Sequence, residues 1–553
     1  MRHTLNLLLF ALVLTIAPGI QTSLAQEDPH AGHAAVGYVP REILERPLPL
    51  RKGVGMINDK VTTSSAEAQA FYNQGVAYLH SYVWIEAARS FNHALRLDPK
   101  LAMAYVGLSR AYSGLEDPKA AREALDKAEA MAGGASERER RRIAIRAKQL
   151  EAMADLANGA KHLAYKKAID DALAADMNDS ELWLIRGNAE ETTAAGRGQR
   201  GTASSIAFYE RVLKVSPDNF AAHHYLIHSY ETINQIDDAL RHGAVYARLS
   251  FSIPHAHHMY GHDLRRVGRI EEAIAAFRKA DELEHAYYKS ENILPDYDWH
   301  HPHNLDLLST SYQYMGKVKE AERLMRETIS LASVSDYREF NKKEWPAFLL
   351  ARGRTNEALE AALALAKGKH AGARAVGHIY AGHALLVLGR IPEATEELAA
   401  AEKEGQELPR VSAFITKTTL EPYAEGLRAE IYLRSGKMKE GREILKEVMR
   451  RLRAVPGPDA WSQGLFRLEA IARAAREVGD WELAEYAARQ MLDHDPAYAG
   501  THYALALVAE HKRDKAAARK AYAAAEKYWR NADRDLPELS QVRANAQEQP
   551  PTR

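Results

Sequence analysis

The sequence predicts an all-α fold, a superhelical solenoid of stacked antiparallel helix pairs, over residues 66–530. Apolar residues in this region recur with the spacing of amphipathic helices. Glycine-containing turns such as Gly268-Arg269 separate one predicted helix from the next. Equivalent alanines recur 34 residues apart, as at Ala239 and Ala273. A fixed period of that length is typical of a helical repeat array, in which each pair packs on its neighbours.

The first 25 residues have the pattern of a signal peptide. Arg2 supplies a positive charge, residues 5–16 are apolar, and residues 23–25 form a small-x-small cleavage signal. We expect cleavage after Ala25 and a periplasmic or secreted protein. The apolar stretch is short for a membrane span, and no other segment approaches that length, so we expect no span in the mature chain.

Both ends of the predicted solenoid have a different composition. Residues 26–65 are rich in proline and glycine, which predicts a flexible N-terminal segment. Residues 531–553 are polar, with proline and glutamine, which predicts a disordered tail.

Charge and cysteine content exclude several classes of function. The chain has 74 basic and 74 acidic residues, and this balance argues against nucleic acid as the partner. It has no cysteine, so disulfides and thiolate metal sites are excluded. Any metal site must therefore use histidine, carboxylate or backbone ligands.

The helix pairs share a pattern of small, aromatic and proline residues. In the first pair these residues are Gly75, Tyr78, Ala87, Phe91, Ala94 and Pro99. The pattern resembles the tetratricopeptide repeat family, in which glycine and tyrosine lie on the first helix and Ala-x-x-x-Phe-x-x-Ala on the second. The resemblance covers residues 66–530 and implies eleven or twelve repeats. It is specific for the fold, and it implies a concave groove in which such proteins bind peptides or partner proteins.

One spacing departs from the period. Ala273 and Ala321 are 48 residues apart, which is 14 more than one repeat. We expect an inserted loop that contains residues 292–303.

Histidines are concentrated in one part of the chain. Residues 223–303 hold 12 of the 24 histidines. His224 and His228 are four residues apart, and so are His258 and His262, with the second pair 34 residues after the first. Side chains four residues apart share one helical face. The sequence therefore predicts four imidazoles at equivalent positions of two stacked repeats.

The resemblance also implies which way these side chains point. In the family, places two, five, nine, twelve and thirteen of a repeat face the concave groove. His224 and His258 fall at place five, His228 and His262 at place nine, and His303 at place two of the following repeat. We expect these five residues to be the metal ligands.

The other clustered histidines receive different interpretations. We expect His223, His255 and His257 to lie off the groove, and His242 and His285, on second helices, to be structural. His300 and His301 are interpreted either as ligands or as residues that orient ligands. His383 also falls at place nine, but alone, and is interpreted as a groove residue without a metal.

The predicted function is the binding of a transition metal ion on the concave face, for metal handling in an exported protein. An all-nitrogen site suits copper, zinc or iron, with nickel also compatible, and it can hold one ion or two. Without a metal, the same imidazoles would be hydrogen-bonded polar residues, an anion site or a pH sensor.

Two alternative functions remain open. One is a scaffold that binds a peptide or protein in the groove without metal. The other is a metalloenzyme, a hydrolase or oxidase with an open coordination position. Its candidate acids or bases are Glu191, Asp296, Asp298 and Asp306. The chain contains no Gly-x-Ser-x-Gly elbow and no His-Glu-x-x-His motif, so no catalytic residue is assigned and the balance favours a non-enzyme.

Overall fold

A computed structural model describes residues 39–191, 201–332, 336–408, 419–455 and 458–546. The regular structure in these ranges is helical throughout. The predicted signal peptide lies outside them. No helix among the described residues is both long enough and apolar enough to cross a membrane.

The first half of the described chain contains thirteen α-helices. They are α1 (Arg41–Leu44), α2 (Ala66–His80), α3 (Trp84–Leu97), α4 (Ala102–Gly114), α5 (Pro118–Ala130), α6 (Glu137–Met153), α7 (Gly159–Ala175), α8 (Ser180–Asn188), α9 (Ala203–Val215), α10 (Phe220–Thr232), α11 (Ile236–Leu249), α12 (Pro254–Arg266) and α13 (Ile270–Glu291). Short 3-10 turns occupy Ala132–Gly134 and Pro295–Tyr297.

The second half continues the same alternation. Its helices are α14 (His300–Tyr314), α15 (Val318–Ser330), α16 (Asp336–Asn341), α17 (Glu344–Ala351), α18 (Thr355–Leu365), α19 (Ala371–Val387), α20 (Ile391–Gln406), α21 (Glu421–Arg434), α22 (Met438–Ala454), α23 (Pro458–Glu477), α24 (Trp481–His494), α25 (Ala499–His511), α26 (Lys515–Tyr528) and α27 (Pro537–Ala546). From α2 to α26, the described residues form twelve pairs of neighbouring helices, which confirms the predicted solenoid.

The repeat pattern has a direct packing explanation in the first pair. Phe91 is fully buried and lies against Gly75 of α2 and Gly107 of α4. A Cβ at Gly75 would lie 2.6 Å from the Phe91 ring, and one at Gly107 would lie 2.4 Å from it. The glycines therefore allow the first helices of successive repeats to close on the aromatic ring of the second helix.

The superhelix curves enough to bring the first repeat against the fifth and later repeats. The Tyr225 hydroxyl lies 2.7 Å from His80 Nδ1, and the Tyr246 hydroxyl donates to Ser81 Oγ at 2.9 Å. Trp299 Nε1 donates to the Tyr82 carbonyl at 3.1 Å. The turn between α2 and α3 thus lies over the histidine-bearing helices α10 and α12.

The extra residues between Ala273 and Ala321 form more helix than expected. Helix α13 has 22 residues and ends at Asn292, whose φ of 49° is left-handed. The added turns hold the first repeat in place, because Glu291 accepts from Arg89 Nη1 at 2.8 Å and also pairs with Arg51. The prediction of an inserted loop over residues 292–303 therefore holds for residues 292–299 and is wrong for residues 300–303, which begin α14.

The predicted flexibility of residues 26–65 does not hold for residues 39–65. Leu44, Leu48 and Val54 are buried against the solenoid. Gly53 has a φ of +76°, and its carbonyl accepts from Ser252 N at 2.9 Å. An extended, proline-rich segment can be ordered when its apolar side chains find a surface, which composition does not reveal.

The predicted disordered tail also begins too early. Residues 537–546 form α27, in which Leu539 and Val542 are buried. Asp533 N donates to the Gly316 carbonyl at 3.1 Å, so this segment packs back on the seventh repeat. Residues 547–553 lie outside the described part of the chain.

Candidate metal centre

All five predicted ligands lie in two histidine triads on the inner helices. Triad A consists of His224, His228 and His255, and triad B of His258, His262 and His303. Within each triad, one ring nitrogen of each residue lies within 4.8 Å of the corresponding nitrogens of the other two. The predicted register therefore placed these five residues correctly, and the structure divides them between two groups.

The triads are two copies of one arrangement. Each takes its first two histidines from places five and nine of one repeat and its third from place two of the next. Helices α10 and α12 supply the pairs, and their starts are fixed by an Asn219 cap, which accepts from Ala222 N at 2.9 Å, and by Pro254 at the first turn. The 34-residue repeat thus produces the same arrangement of three histidines twice.

His255 was expected to lie off the groove, and that prediction is wrong. Its Nε2 lies 3.0 Å from Nε2 of His224. His255 precedes His258 by three residues and therefore occupies place two, which is a groove-facing place. The same register that located the other histidines contained this signal.

The spacing of the nitrogens in triad A suits a metal ion. Nε2 of His224 lies 3.0 Å from Nε2 of His255 and 3.2 Å from Nε2 of His228. Tetrahedral ligands with metal–nitrogen bonds of about 2.0–2.1 Å have nitrogens about 3.3 Å apart. A single ion among the three nitrogens would require only small shifts of the rings.

The tautomer of His224 is fixed by the first repeat. Its Nδ1 lies 2.6 Å from the backbone carbonyl of His80, which can only accept a hydrogen bond. Nδ1 of His224 therefore carries the proton, and in the neutral ring Nε2 presents a lone pair to triad A. A backbone carbonyl on the outer nitrogen is a common support for a metal-binding imidazole.

His258 has the equivalent support in triad B. Its Nδ1 lies 2.9 Å from Asn304 Oδ1, and Asn304 Nδ2 donates to the Phe277 carbonyl at 3.0 Å. That second bond orients the amide, so Nδ1 of His258 is the donor. Its Nε2 is then an acceptor, and it is buried without a hydrogen-bond partner.

The remaining members of triad B complete a compact group of rings. The His262 and His303 ring centroids lie 4.3 Å and 4.7 Å from that of His258. His303 is half-buried, whereas His258 is fully buried. His303, on α14, is therefore the most exposed member of triad B.

Burial keeps these imidazoles uncharged. Burial, together with the neighbouring His228, holds the pKa of His224 well below its ordinary value, and burial and His262 do the same for His258. Burial lowers the pKa of His228 to about 4. The neutral ring is the form that binds metals, so these residues need no proton loss at neutral pH to accept an ion.

Glu231 connects the two triads, and it was not identified from the sequence. Its Oε2 lies 3.8 Å from His228 Nδ1, and its Oε1 lies 3.3 Å from His262 Nδ1. A buried carboxylate at this position can orient both imidazoles and offset the charge of bound ions. Glu231 follows His228 by three residues and so falls at place twelve, another groove-facing place.

His300 lies between the triads. Its ring centroid is 4.9 Å from that of His255 and 4.6 Å from that of His258. Its Nδ1 is hydrogen-bonded to the Glu284 carboxyl group, and its Nε2 is buried without a hydrogen-bond partner. A histidine backed by a carboxyl group in this way resembles the supported ligands of metal sites.

The turn between α2 and α3 covers triad A. The Tyr82 ring centroid lies 4.7 Å from that of His224 and 5.2 Å from that of His255. Tyr82 has a φ of 58°, and a left-handed conformation in a bulky residue costs about 1–3 kcal/mol. Triad A is therefore buried beneath the first repeat rather than open to the groove.

The other histidines near the cluster lie outside the triads. His223 is 2.7 Å from His242 between their Nδ1 atoms, and His257 Nε2 lies 2.9 Å from the Phe251 carbonyl. These positions agree with the off-groove assignment of His223 and His257.

The candidate acids and bases have mostly structural contacts. Asp296 accepts from Ala332 N at 2.9 Å, and Asp298 accepts from the Tyr288 hydroxyl at 2.6 Å. Glu191 is buried near Tyr82 and Tyr209. Asp306 lines a small cleft with His303, and of the four it alone borders a triad through such a cleft. No hydrolytic or oxidative residue can be assigned from this geometry.

Comparison with known proteins supports the repeat assignment. The tetratricopeptide repeat family profile matches residues 102–133 and 254–286, and the second match includes α12 with His255, His258 and His262. The chain therefore contains tetratricopeptide repeats, as the sequence pattern indicated. None of the curated proteins matches the sequence.

Two solved structures are similar to the chain over most of its length. One, the APC/C hetero-tetramer Cut9-Hcn1, has a TM-score of 0.28 and 13% identity, covering 87% of this chain and 91% of that one. The other, a monomeric mutant of IFIT1 with Gppp-AAAA, has a TM-score of 0.34 and 12% identity, covering 90% and 95%. Similarities this low support no argument about function.

Proposed function

We propose that this tetratricopeptide-repeat solenoid binds two transition-metal ions, one in each histidine triad, and that metal handling is its function. The observation that carries the proposal is the protonation and hydrogen bonding of the His258 ring. Asn304 fixes its proton on Nδ1, and its Nε2 lone pair is buried among imidazoles without a hydrogen-bond partner. A metal ion would satisfy that lone pair and would also bind His262 and His303.

An arrangement of this kind is costly without a ligand. Leaving a buried polar atom without a partner costs about 1–3 kcal/mol. His258 Nε2, His255 Nδ1 and His300 Nε2 are all buried without a hydrogen-bond partner. A purely structural role would be better served by apolar residues of similar size, so the cluster favours binding of a cation.

The ligand set narrows the choice of metal. Three imidazoles without thiolates suit copper and zinc, and divalent copper and zinc bind nitrogen sites more tightly than divalent iron. Three protein ligands leave a fourth position on each ion. In triad A the neighbouring side chains are the aromatic rings of Tyr82 and Trp299, which favours holding an ion over reaction with solvent.

The test is metal content in matched variants. The wild-type protein, loaded with zinc or copper and desalted, should hold two ions per chain more than the His228→Ala/His262→Ala double variant. His228→Ala should remove the ion of triad A, His262→Ala should remove that of triad B, and the double variant should remove both. His257→Ala, on the same helix as triad B but outside it, should retain both ions. Equal metal content in all five proteins would overturn the proposal.

Export is part of the same proposal. The pattern of residues 1–25 supports it. The mass of the mature protein recovered from its native compartment should correspond to a chain that begins at Gln26. An intact N-terminus at Met1 would contradict export by cleavage. Partner binding in the groove stays a prediction from the family resemblance.

A further inference from the structure

A third group of metal-ligating side chains lies outside both triads. Asp281 and His285 come from the extended part of α13, and His301 comes from the first turn of α14. One potential ligand atom from each lies within 4.8 Å of the other two. Glu327 of α15 lies beside them.

The contacts in this group converge on one point. Asp281 Oδ1 lies 3.1 Å from His301 Nε2 and 3.3 Å from His285 Nε2. His285 Nε2 is also 3.5 Å from Glu327 Oε1. Tetrahedral zinc ligands at about 2.0–2.2 Å from the ion lie about 3.3 Å apart. Asp281, His285 and His301 therefore have separations close to those of a coordination shell, and Glu327 lies beside His285.

We propose that Asp281, His285, His301 and Glu327 form a third, peripheral binding site for a divalent transition-metal ion. Its ligands are two imidazoles and two carboxylates, a set that suits zinc and also iron or manganese. The negative charge of the two carboxylates would balance a divalent ion without help from the rest of the chain.

Exposure separates this site from the triads. The His285 side chain is 53% exposed and that of Glu327 is 29% exposed, whereas His301 is buried. An ion can therefore reach the site from solvent while one ligand remains fixed in the core. The site should exchange its ion faster than triad A, which lies beneath the first repeat.

The site exists because of the insertion in the sixth repeat. Asp281 and His285 are one helical turn apart on α13, and His301 follows the short connection that leads to α14. The expectation that His285 is merely structural is replaced by this proposal. A simple ion pair would direct two imidazoles at one oxygen, whereas a bound ion would give each side chain its own bond.

The proposal is tested with zinc and with cobalt(II), whose visible absorption reports its coordination. His285→Ala should bind one equivalent of zinc fewer than wild type, and Glu327→Gln should weaken the same equivalent. Both side chains are partly exposed, so these variants should fold. His511→Ala, which removes an exposed histidine in α25, should bind as wild type does.

The decisive test of the third site uses the His228→Ala/His262→Ala protein, which should lack the two triad ions. It should retain one equivalent of zinc or cobalt(II), and adding His285→Ala should remove it. Unchanged stoichiometry between wild type and His285→Ala would overturn the third site. Failure of the triads would instead appear as equal zinc content in wild type and the double variant, so the two results are distinguishable.

Discussion

The two halves of the solenoid present groove histidines in different ways. In the second half, His383 Nε2 accepts from Arg467 Nη2 at 3.2 Å, so its Nδ1 donates to Glu430 at 3.1 Å. Both ring nitrogens are satisfied by protein. In the first half, His258 has one nitrogen satisfied by Asn304 and the other buried without a hydrogen-bond partner. Groove-facing places of the repeat can thus hold either a structural histidine or one prepared for a ligand.

The comparison shows that a single groove-facing histidine does not make a candidate metal site. What matters is how many histidines there are and which places of the repeat they occupy. His383 is the single histidine among the groove-facing places of its repeat. Its two ring nitrogens are hydrogen-bonded to Glu430 and Arg467. The triads combine places five and nine of one repeat with place two of the next, so that imidazoles face imidazoles. Neutral rings cannot all satisfy one another in that arrangement, because each ring has only one N–H to donate.

The largest expected effect is the loss of metal-linked stability in the first half. At a free metal concentration about a thousandfold above Kd, each bound ion should stabilise the folded chain by about 4 kcal/mol. Adding zinc should therefore raise the Tm of the wild type strongly and that of His228→Ala/His262→Ala much less. Calorimetry with and without zinc measures this difference. An equal rise in the Tm of both proteins would contradict zinc binding by the triads of the first half.

The next prediction concerns the second half. Arg467 is buried, lies 4.4 Å from the Tyr423 ring and supports the charge of Glu430. Breaking a buried charge pair on one side costs about 3–5 kcal/mol, so Arg467→Met should lower the Tm. Its zinc content should equal that of the wild type. Loss of zinc from Arg467→Met would mean that a change in the second half affects metal binding in the first half, which the contacts between them do not explain.

A smaller effect is expected at the support of triad B. Asn304→Ala removes the acceptor that fixes the proton of His258 on Nδ1. Loss of such support lowers metal affinity by about 10–100-fold. Zinc titration should show that binding to triad B is weakened and binding to triad A is unchanged, because triad A depends on the His80 carbonyl instead. Ser309→Ala is the matched control, because the Ser309 hydroxyl donates to the Asp306 carbonyl on the same helix.

The sequence predicted the repeats and the shared face of the two histidine pairs. The five histidines chosen as ligands all lie in the triads, and their binding of a metal stays a prediction. The sequence also contained the signals for His255 and Glu231, at places two and twelve, although neither was selected. Tyr82 could not be found in this way. It reaches triad A only because the superhelix brings the first repeat against the fifth, and a repeat period does not specify how tightly the array curves.

The smallest expected effect compares two buried glutamates under acid conditions. Glu181 in the first half pairs with His80 at 2.7 Å and with Arg110 at 2.6 Å, as Glu430 pairs with His383 in the second half. Burial alone would raise the pKa of both carboxyl groups. Interactions with His80 and Arg110 outweigh burial for Glu181, and those with His383 and Arg467 do so for Glu430, so both pKa values lie below the ordinary value.

A carboxyl group with a lowered pKa in the folded state stabilises the protein above its unfolded pKa of about 4.3, and this contribution is lost as the pH falls further. Glu181→Gln should therefore be less stable at neutral pH and should lose less stability than the wild type between about pH 5 and pH 3. Glu430→Gln should behave alike, although its histidine contact is longer. Tm measured across this range tests both, and a Glu181→Gln curve parallel to the wild type would show that Glu181 does not contribute to acid unfolding.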